Sequence, residues 1–228
     1  MRYLGGKARQ APFIVSHILR LRGNRTRYIE PFVGGGSVLA LAAPHFQTVE
    51  ASDLNPDLML LWKAVQRGWV PPDRLTKAHW MDLKVQSEPS ALRAWAGFAH
   101  SYRGLWFEGY SGDDPRSRVT ARVLTDKVKA AHHARFFCRS YVEAEPSADS
   151  VVYCDPPYEG TKGYRGTAGA FDSGAFWNQA RVWAARGALV LVSEYAAPFG
   201  WFSVGDVIRE SRPGPASREH RVEGLFTC

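Results

Sequence analysis

Apolar positions along the first 67 residues alternate between helical spacing and the short runs typical of strands. Residues 11–21, APFIVSHILRL, have the period of an amphipathic helix, and residues 27–30 predict a short strand. A helix is expected over 37–43, a second strand over 48–53 and a further helix over 55–67. Strands that alternate with helices predict an α/β fold, with a mainly parallel sheet covered by helices on both faces.

Turn and capping residues mark where these elements should begin and end. The glycine-rich stretch from Pro31 to Gly36 predicts a tight turn after the first strand. Ser37 is expected to cap the helix that follows, and Pro44 is expected to stop it. Asn55 is expected to cap the next helix. A turn or a cap thus separates each of these strands from the helix behind it.

The last third of the chain repeats the alternation and then changes to a hairpin. Strands are expected over 136–141, 151–154 and 188–193, with a helix over 171–186. Residues 201–210 and 221–228 flank the turn-rich sequence RPGPASR, which predicts a β-hairpin.

Residues 68–135 do not follow this pattern. They contain helical patches and the polar, turn-rich sequence GYSGDDPRSR. We therefore expect a small, mainly helical segment inserted into the α/β fold. On this division, residues 1–67 and 136–228 form one α/β domain, and residues 68–135 form the insertion.

Composition and charge fit one globular domain with a polyanionic partner. The chain has 228 residues, of which 45% are hydrophobic, enough for a full core. Its formal charge is +7 at pH 7, and residues 101–140 carry eight Lys or Arg and four acids, a net charge of +4. Such an excess favours nucleic acid above other partners. A basic surface that only keeps the protein soluble is the alternative.

Membrane, disulfide and metal proteins fit the sequence poorly. No apolar run reaches the ~20 residues that a membrane helix needs, and the basic stretch MRYLGGKARQ lacks the apolar segment of a signal peptide. The three cysteines, Cys138, Cys154 and Cys228, have spacings that match neither a disulfide framework nor a zinc site. We expect a protein of the reducing cytosol, with no membrane partner and no metal.

Two motifs at the ends of predicted strands suit a nucleotide-like ligand. EPFVGGGS, residues 30–37, offers a tight glycine turn and a helix N-terminus. It lacks the GxGxxG spacing of dinucleotide-binding proteins and the lysine of phosphate loops, so a ligand without a pyrophosphate fits better. Asp53 ends the second strand, where a carboxylate can accept hydrogen bonds from ribose hydroxyls. A plain turn and a helix cap are the alternatives for these two motifs.

A third motif, VVYCDPPY at residues 151–158, has a more specific chemistry. An exocyclic amino group on a base is a poor nucleophile, because its lone pair is delocalised into the ring. The Asp155 carboxylate and the Pro156 carbonyl can both accept its N–H bonds and favour a more tetrahedral nitrogen. Pro157 restricts the backbone, and Tyr158 offers a ring on which a base can stack, worth ~1–3 kcal/mol. An ordinary proline turn after a strand is the alternative.

With the basic arm RYLGGK at residues 2–7, these motifs resemble those of the Dam-type DNA adenine-N6 methyltransferases of the α group. The order of the motifs YLGGK, EPFVGGGS, SDLN and DPPY is that of the family. LVLVSEYAAP resembles the next strand of that family, and REHRVEGLF resembles its closing hairpin. The resemblance covers nearly the whole chain except residues 68–135. The compact length and the sequence YRGLWFEGY resemble phage-encoded members.

This resemblance implies a Rossmann-like fold that uses S-adenosylmethionine (SAM), with a seven-stranded mixed sheet whose last strand is reversed. It also implies that adenine is flipped out of double-stranded DNA and methylated on its N6 amino group. Residues 68–135 would then be the target-recognition segment, and the remainder the catalytic, SAM-binding domain. We further expect a monomer.

The expected site residues fall into three groups, of which the first two are carried over by position from the family motifs. The residues expected to act on the target base are Asp155, Pro156 and Tyr158. The residues expected to contact SAM are Tyr3, Lys7, Phe32, Gly34, Gly36, Asp53, Ser140, Tyr141 and Asp155. The residues expected to contact DNA phosphates or guanine edges are Arg103, Arg116, Arg118 and Arg122.

Several alternatives remain at this point. The aromatic residues Trp106, Phe107 and Tyr110 either meet DNA or only pack a small helical subdomain. The insertion does not match the recognition hairpin of GATC-specific enzymes, which makes relaxed or low sequence specificity plausible. Cytosine-N4 methylation and methylation of glutamine side chains are disfavoured by aspartate at position 155. A catalytically inactive, DNA-binding scaffold is a rival of another class.

Overall fold

A computed structural model describes residues 6–112, 116–158, 171–210 and 220–228. Within these residues, seven strands form one sheet: β1 (Arg27–Glu30), β2 (Thr48–Asp53), β3 (Arg135–Cys138), β4 (Ser150–Cys154), β5 (Leu189–Glu194), β6 (Phe202–Glu210) and β7 (His220–Thr227). The described α-helices are α1 (Ala11–Leu21), α2 (Ser37–Ala42), α3 (Pro56–Gln66), α4 (Lys77–Val85), α5 (Ala91–Ala99), α6 (Arg116–Ala130) and α7 (Ser173–Ala185). Short 3₁₀ turns span Ala43–His45, Tyr102–Gly104 and Tyr141–Glu143.

The strand order across the sheet is β3-β2-β1-β4-β5-β7-β6. Strands β1 to β5 run parallel to their neighbours, whereas β7 pairs antiparallel with both β5 and β6. This confirms the predicted Rossmann-like mixed sheet with a reversed last strand. The strand order switches direction between β1 and β4, and ligands of such sheets bind at the carboxyl ends of the strands beside that switch.

Alternating side chains of the strands build a separate core on each face of the sheet. Tyr28 and Tyr153 belong to the larger cluster, which also takes side chains from α1, α2, α3, α5 and α6. Ile29 and Val152 point to the other face, where Trp183 of α7 covers them. The sheet is therefore sandwiched between two helical layers, as the alternation of elements predicted.

Two predictions about element ends were wrong, for reasons of local capping. Gly36, with φ 58°, occupies the cap position of α2, and Ser37 is the first residue of the helix instead of its cap. The expected strand 136–141 ends at Cys138, because Ser140 starts a 3₁₀ turn. There the Glu143 carboxylate accepts the Ser140 backbone N–H at 2.8 Å. This side-chain bond competes with strand pairing.

Other boundaries follow the sequence closely. Asn55 caps α3, its side-chain oxygen accepting the Leu58 N–H at 2.9 Å. Asp172 caps α7 in the same way. The last two strands pair as the predicted hairpin, although its turn sequence RPGPASR lies outside the described residues.

The expected insertion, residues 68–135, consists of α4, α5 and α6 with the loops between them. Trp95 of α5 and Leu124 of α6 join the larger core of the sheet. A small separate cluster includes Trp80 and Phe107, with Tyr110 packed against it. Trp106, Phe107 and Tyr110 therefore pack against the protein's own core, whereas a role of the segment in target recognition stays a prediction.

Candidate active site

The DPPY carboxylate lies beside the lysine of the N-terminal arm. The Lys7 ammonium nitrogen is 2.6 Å from Asp155 Oδ1, and it also donates a hydrogen bond to the Tyr158 hydroxyl. That hydroxyl in turn donates to Asp155 Oδ1 at 3.2 Å. Lys7 is only 4% exposed, whereas Asp155 is 21% exposed. The buried Lys7 thus contacts the Asp155 carboxylate from the protein interior. Part of the Asp155 side chain remains exposed to solvent.

A second carboxylate, Glu223 of β7, contacts the same lysine. Its Oε1 lies 3.1 Å from the Lys7 nitrogen, and its side chain is 2% exposed. Because β7 runs antiparallel to β5, with Gly224 opposite Glu194, the beginning of β7 lies at the carboxyl edge of the sheet. The reversed strand therefore brings an acid to the same edge as Asp155.

The glycine loop after β1 is bound to the acid that ends β2. Asp53 accepts hydrogen bonds from the backbone N–H groups of Gly34 and Asn55, at 3.1 Å and 3.0 Å. Burial raises the pKa of Asp53, and these backbone bonds oppose the rise. A carboxylate can accept about four hydrogen bonds. Asp53 can therefore fix the loop and still accept from a ligand hydroxyl.

Gly36 is required by packing within the protein. A Cβ at this position would lie 2.5 Å from the ring of Trp62. The Trp62 indole N–H donates to the Gly34 carbonyl at 3.2 Å, and its ring stacks on Phe136. The loop is thus supported by a rigid aromatic side chain, which gives Gly36 a structural role in addition to the predicted ligand contact.

Two ionisable groups next to the glycine loop are the half-buried Lys127 and the buried Glu30. Lys127 of α6 donates to the Gly35 carbonyl at 2.6 Å and to the Ser37 hydroxyl at 2.8 Å. Burial lowers the pKa of Lys127 to about 8. Burial also raises the pKa of Glu30 to about 8, with the nearby charge of Asp155 adding to the rise. The Glu30 carboxyl accepts the Tyr28 hydroxyl at 2.7 Å.

Aromatic rings line the same edge of the sheet. Phe32 stacks on Tyr141, with ring centroids 5.4 Å apart and an angle of 28°. Ser140 precedes Tyr141 as the cap of its 3₁₀ turn. Beside the DPPY motif, the rings of Tyr158 and Tyr195 meet edge to face at 4.7 Å.

The predicted site residues therefore separate into two neighbouring groups at one sheet edge. Lys7, Asp155 and Tyr158 are in contact, with Pro156 between the last two. The residues around the loop and the ends of β2 and β3 are Phe32, Gly34, Gly36, Asp53, Ser140 and Tyr141. Tyr3 lies outside the described residues.

The predicted DNA-contacting arginines lie on α6 and in the 3₁₀ turn Tyr102–Gly104. Arg118 and Arg122 are 67% and 86% exposed on α6, and form ion pairs with Asp73 and Asp126. Arg103 is exposed in a loop and has φ 54°, an uncommon value for a residue with a side chain. Nothing is described of the Arg116 side chain, although its backbone begins α6.

Four residues at this edge were missed by sequence reasoning: Glu30, Lys127, Tyr195 and Glu223. Glu30, Tyr195 and Glu223 fall inside sequences quoted for the resemblance, but no role was assigned to them. An acid within an apolar strand, as in VEGLF, is a signal that could have drawn attention to Glu223, because buried carboxylates need partners. The described residues contain no group of three His, Cys, Asp or Glu side chains that could hold a metal. Among the helices of the same residues, none is both long and apolar enough to cross a membrane.

Comparison with known proteins agrees with the motif-based resemblance. A model for the D12 class N6 adenine-specific DNA methyltransferases matches residues 3–89. The type II methyltransferase M.MjaIII of Methanocaldococcus jannaschii is 41% identical over 200 residues, which cover 70% of this chain and 68% of that protein. A DNA adenine methylase of Vibrio cholerae serotype O1 is 27% identical over 183 residues, covering 69% of this chain. The match spans 64% of the Vibrio cholerae protein's own length.

A solved structure is also similar to this chain over most of its length. It is the rRNA methyltransferase aviRa from Streptomyces viridochromogenes, with 15% identity and a TM-score of 0.46 over 96% of this chain and 84% of that one. At that level of similarity, the assignment of the fold rests on the strand order described above. Identity to the Methanocaldococcus jannaschii protein over two thirds of its length establishes the family. This chain belongs to the D12 class N6 adenine-specific DNA methyltransferases.

Proposed function

We propose that this protein transfers a methyl group from SAM to the N6 amino group of adenine in DNA. The observation that carries the proposal is the position of Asp155, which follows β4 directly and is held by Lys7 at 2.6 Å. The family and its relatives point to adenine as the base and DNA as the substrate. Aspartate at position 155 disfavours the cytosine-N4 and glutamine alternatives.

Residues at the carboxyl edge fit the chemistry of SAM. When bound, SAM supplies an electrophilic methyl group on a sulfonium centre. The half-buried Asp53 carboxylate suits ribose hydroxyls, and the Phe32–Tyr141 pair offers aromatic surface to an adenine ring. The set that would hold SAM is Tyr3, Lys7, Phe32, Gly34, Gly36, Asp53, Ser140, Tyr141 and Asp155.

Asp155, Pro156 and Tyr158 would prepare the target amino group for attack. The Asp155 carboxylate and the Pro156 carbonyl each accept one of its N–H bonds, which frees the nitrogen lone pair from the ring. The Tyr158 ring provides a stacking surface for the base. Lys7 keeps the carboxylate in one position, and fixed acceptors of this kind lower the barrier because they need no reorganisation during reaction.

The target adenine would leave the DNA stack before it reaches these residues. Its amino group is inaccessible within a duplex, and extrusion of the base costs a few kcal/mol. Phosphate contacts and the release of counterions offset part of that cost. We propose that Arg103, Arg116, Arg118 and Arg122 supply such contacts, supported by the exposure of Arg118 and Arg122 on one helix.

Methylation of DNA with labelled SAM tests the central proposal directly. The full-length protein is incubated with duplex DNA and methyl-labelled SAM, and the DNA is then digested to nucleosides and separated. Label on N6-methyl-2′-deoxyadenosine is expected. Label on N4-methyl-2′-deoxycytidine would contradict adenine specificity. No label, together with no SAM binding by calorimetry, would favour the inactive scaffold.

The target sequence is the next question for the same reaction. Since the segment between β2 and β3 is compact and helical, we propose relaxed or low sequence specificity, of the kind expected for phage-like members. Sequencing of methylated adenines after limiting reaction should show many different flanking sequences. A single flanking sequence at nearly every methylated site would contradict this proposal.

The salt dependence of DNA binding tests the arginines. If Arg122 contacts one phosphate, Arg122→Gln should make the plot of log binding constant against log salt concentration less steep, by about 0.9. The matched control is Arg186→Gln. Arg186 is also exposed, but it lies between the end of α7 and the start of β5, at the amino edge of the parallel strands. An equal slope for the wild type and Arg122→Gln would remove this residue from the DNA contact.

A further inference from the structure

Glu223 is a buried carboxylate in a strand that carries no recognised motif of the reaction. It shares one face of the sheet with Leu225, two positions along β7, and that residue belongs to the core beside α1. A carboxylate in such a place is costly unless it is paired. Glu223 forms an ion pair with Lys7, whose ammonium nitrogen lies 3.1 Å from Glu223 Oε1.

Lys7 has as many oxygen neighbours as it has N–H donors. An ammonium group has three donors and no acceptor. Its three neighbours are Asp155 Oδ1, the Tyr158 hydroxyl and Glu223 Oε1. With three directions occupied, the ammonium is fixed in position, and it cannot approach Asp155 further without losing Glu223.

We propose that Glu223 is a positioning residue for methyl transfer, which holds the Lys7 ammonium in the place from which it orients the Asp155 carboxylate. This inference rests on the proposed adenine methylation.

Rates of methylation by full-length variants test the inference. The isosteric Glu223→Gln should lower kcat by about 10- to 100-fold, since small misplacements of reacting groups have effects of this size. The KM for SAM should change less than about threefold, because the lost interaction acts on the chemical step. Glu223→Asp keeps the charge, and its kcat should be at least about tenfold higher than that of Glu223→Gln.

A double-mutant cycle with Lys7→Met separates positioning from a general effect on the fold. In single-turnover reactions, Glu223→Gln should have no further effect in the Lys7→Met background. The same loss in both backgrounds, or no loss in the wild-type background, would overturn the inference. If Lys7→Met has no measurable rate, the test is the comparison of Glu223→Asp with Glu223→Gln. A Glu223→Asp rate no higher than the Glu223→Gln rate would then overturn the inference.

The matched control is Glu194→Gln. Glu194 is also buried at 5% exposed and lies beside Gly224, but it shares the face of Val192, on the α7 side of the sheet. Its kcat should stay within about threefold of the wild type, since it does not contact Lys7. A wild-type protein that binds DNA and SAM but never methylates adenine would contradict the proposed function itself, before any variant is compared.

Discussion

Two clusters of charged side chains lie on opposite faces of this sheet, and they are built in opposite ways. Glu50 of β2 is 4% exposed and contacts three arginines. The Arg27 and Arg135 guanidinium groups lie 2.9 Å and 2.7 Å from its Oε1, and that of Arg139 lies 2.8 Å from its Oε2. Across the sheet, two carboxylates share the single ammonium of Lys7.

The difference separates a cluster that stabilises the fold from one that is suited to catalysis. Burial by itself raises the pKa of Glu50, but hydrogen bonds from Arg139 and Arg27 outweigh it, so the pKa lies below its ordinary value. The three arginines keep the Glu50 carboxylate ionised and contact both of its oxygens. At the DPPY motif, a partly exposed carboxylate shares the ammonium of Lys7 with a second acid and is suited to accept hydrogen bonds from a substrate. A carboxylate held by three cations thus marks a structural cluster here, and an ammonium held by two carboxylates marks the candidate site.

The largest effect is expected for Asp155→Ala. Removal of a preorganised polar contact to the reacting group costs about 10²–10³ in kcat, and Asp155 also anchors Lys7, so turnover should fall by at least that amount. DNA affinity should change little, because phosphate contacts dominate it. Single-turnover methylation and fluorescence anisotropy measure the two quantities. Asp155→Asn keeps the volume and one acceptor oxygen and therefore isolates the effect of the charge. Near-normal turnover in Asp155→Ala would remove Asp155 from the mechanism.

Loss of Glu50 should act on stability and leave catalysis intact. Glu50→Gln leaves three cations close together, and we expect the free energy of unfolding to fall by about 2–3 kcal/mol. This is less than the ~3–5 kcal/mol for a fully buried pair, because Arg135 is 67% exposed and its charge is screened by solvent. Urea unfolding measures the change. If Glu50→Gln instead lowered kcat strongly at 15 °C without a loss of stability, the Glu50 cluster would belong to catalysis and not to the stability of the fold.

Glu30 lies on the Asp155 face and tests how pH acts on this region. Its pKa is raised from 4.5 to about 8, so between these values the folded protein holds a proton that the unfolded chain releases. Stability should therefore fall as pH rises across this window, by up to about 1.4 kcal/mol per pH unit. Glu30→Gln should flatten this slope, measured by urea unfolding at pH 5, 6, 7 and 8.

Lys127→Met provides the control for that measurement. The pKa of Lys127 is lowered from 10.5 to about 8, so below about pH 7 its protonation hardly differs between the folded and unfolded states. Its own contribution to the pH dependence lies between pH 8 and 10.5, where stability rises with pH. An unchanged slope below pH 8 in Glu30→Gln would show that another group causes it.

Much of the fold was predictable because its signals are local. The boundaries of α1, β1 and β2 follow from hydrophobic period and turn residues, and match the structure. The two wrong ends, at Ser37 and at 139–141, depend on which side chain bonds which backbone group. Several conformations compete there within a few tenths of a kcal/mol, a difference that periodicity does not report.

The site was predictable as separate motifs and not as a network. Lys7 and Asp155 each belong to a motif, yet their contact joins residues 148 positions apart. Lys127 lies outside the motifs, and Glu223 lies in a matched segment but was assigned no role, since a single buried charge becomes meaningful only once its partner is known. The sequence therefore predicts candidate groups, and the structure shows which groups contact them.

The smallest effect is expected for Arg135→Gln. Glu50 would retain Arg27 and Arg139, and an exposed ion pair contributes only about 0–1 kcal/mol, so the free energy of unfolding should fall by less than about 0.5 kcal/mol. Arg139→Gln is the matched comparison, because Arg139 is 19% exposed and its guanidinium lies 4.4 Å from the Phe137 ring centroid. Its loss should be larger, since packing on Phe137 is lost with the charge. Equal and large losses for both variants would mean that the three arginines act as one unit, and that cation excess at Glu50 gives no redundancy.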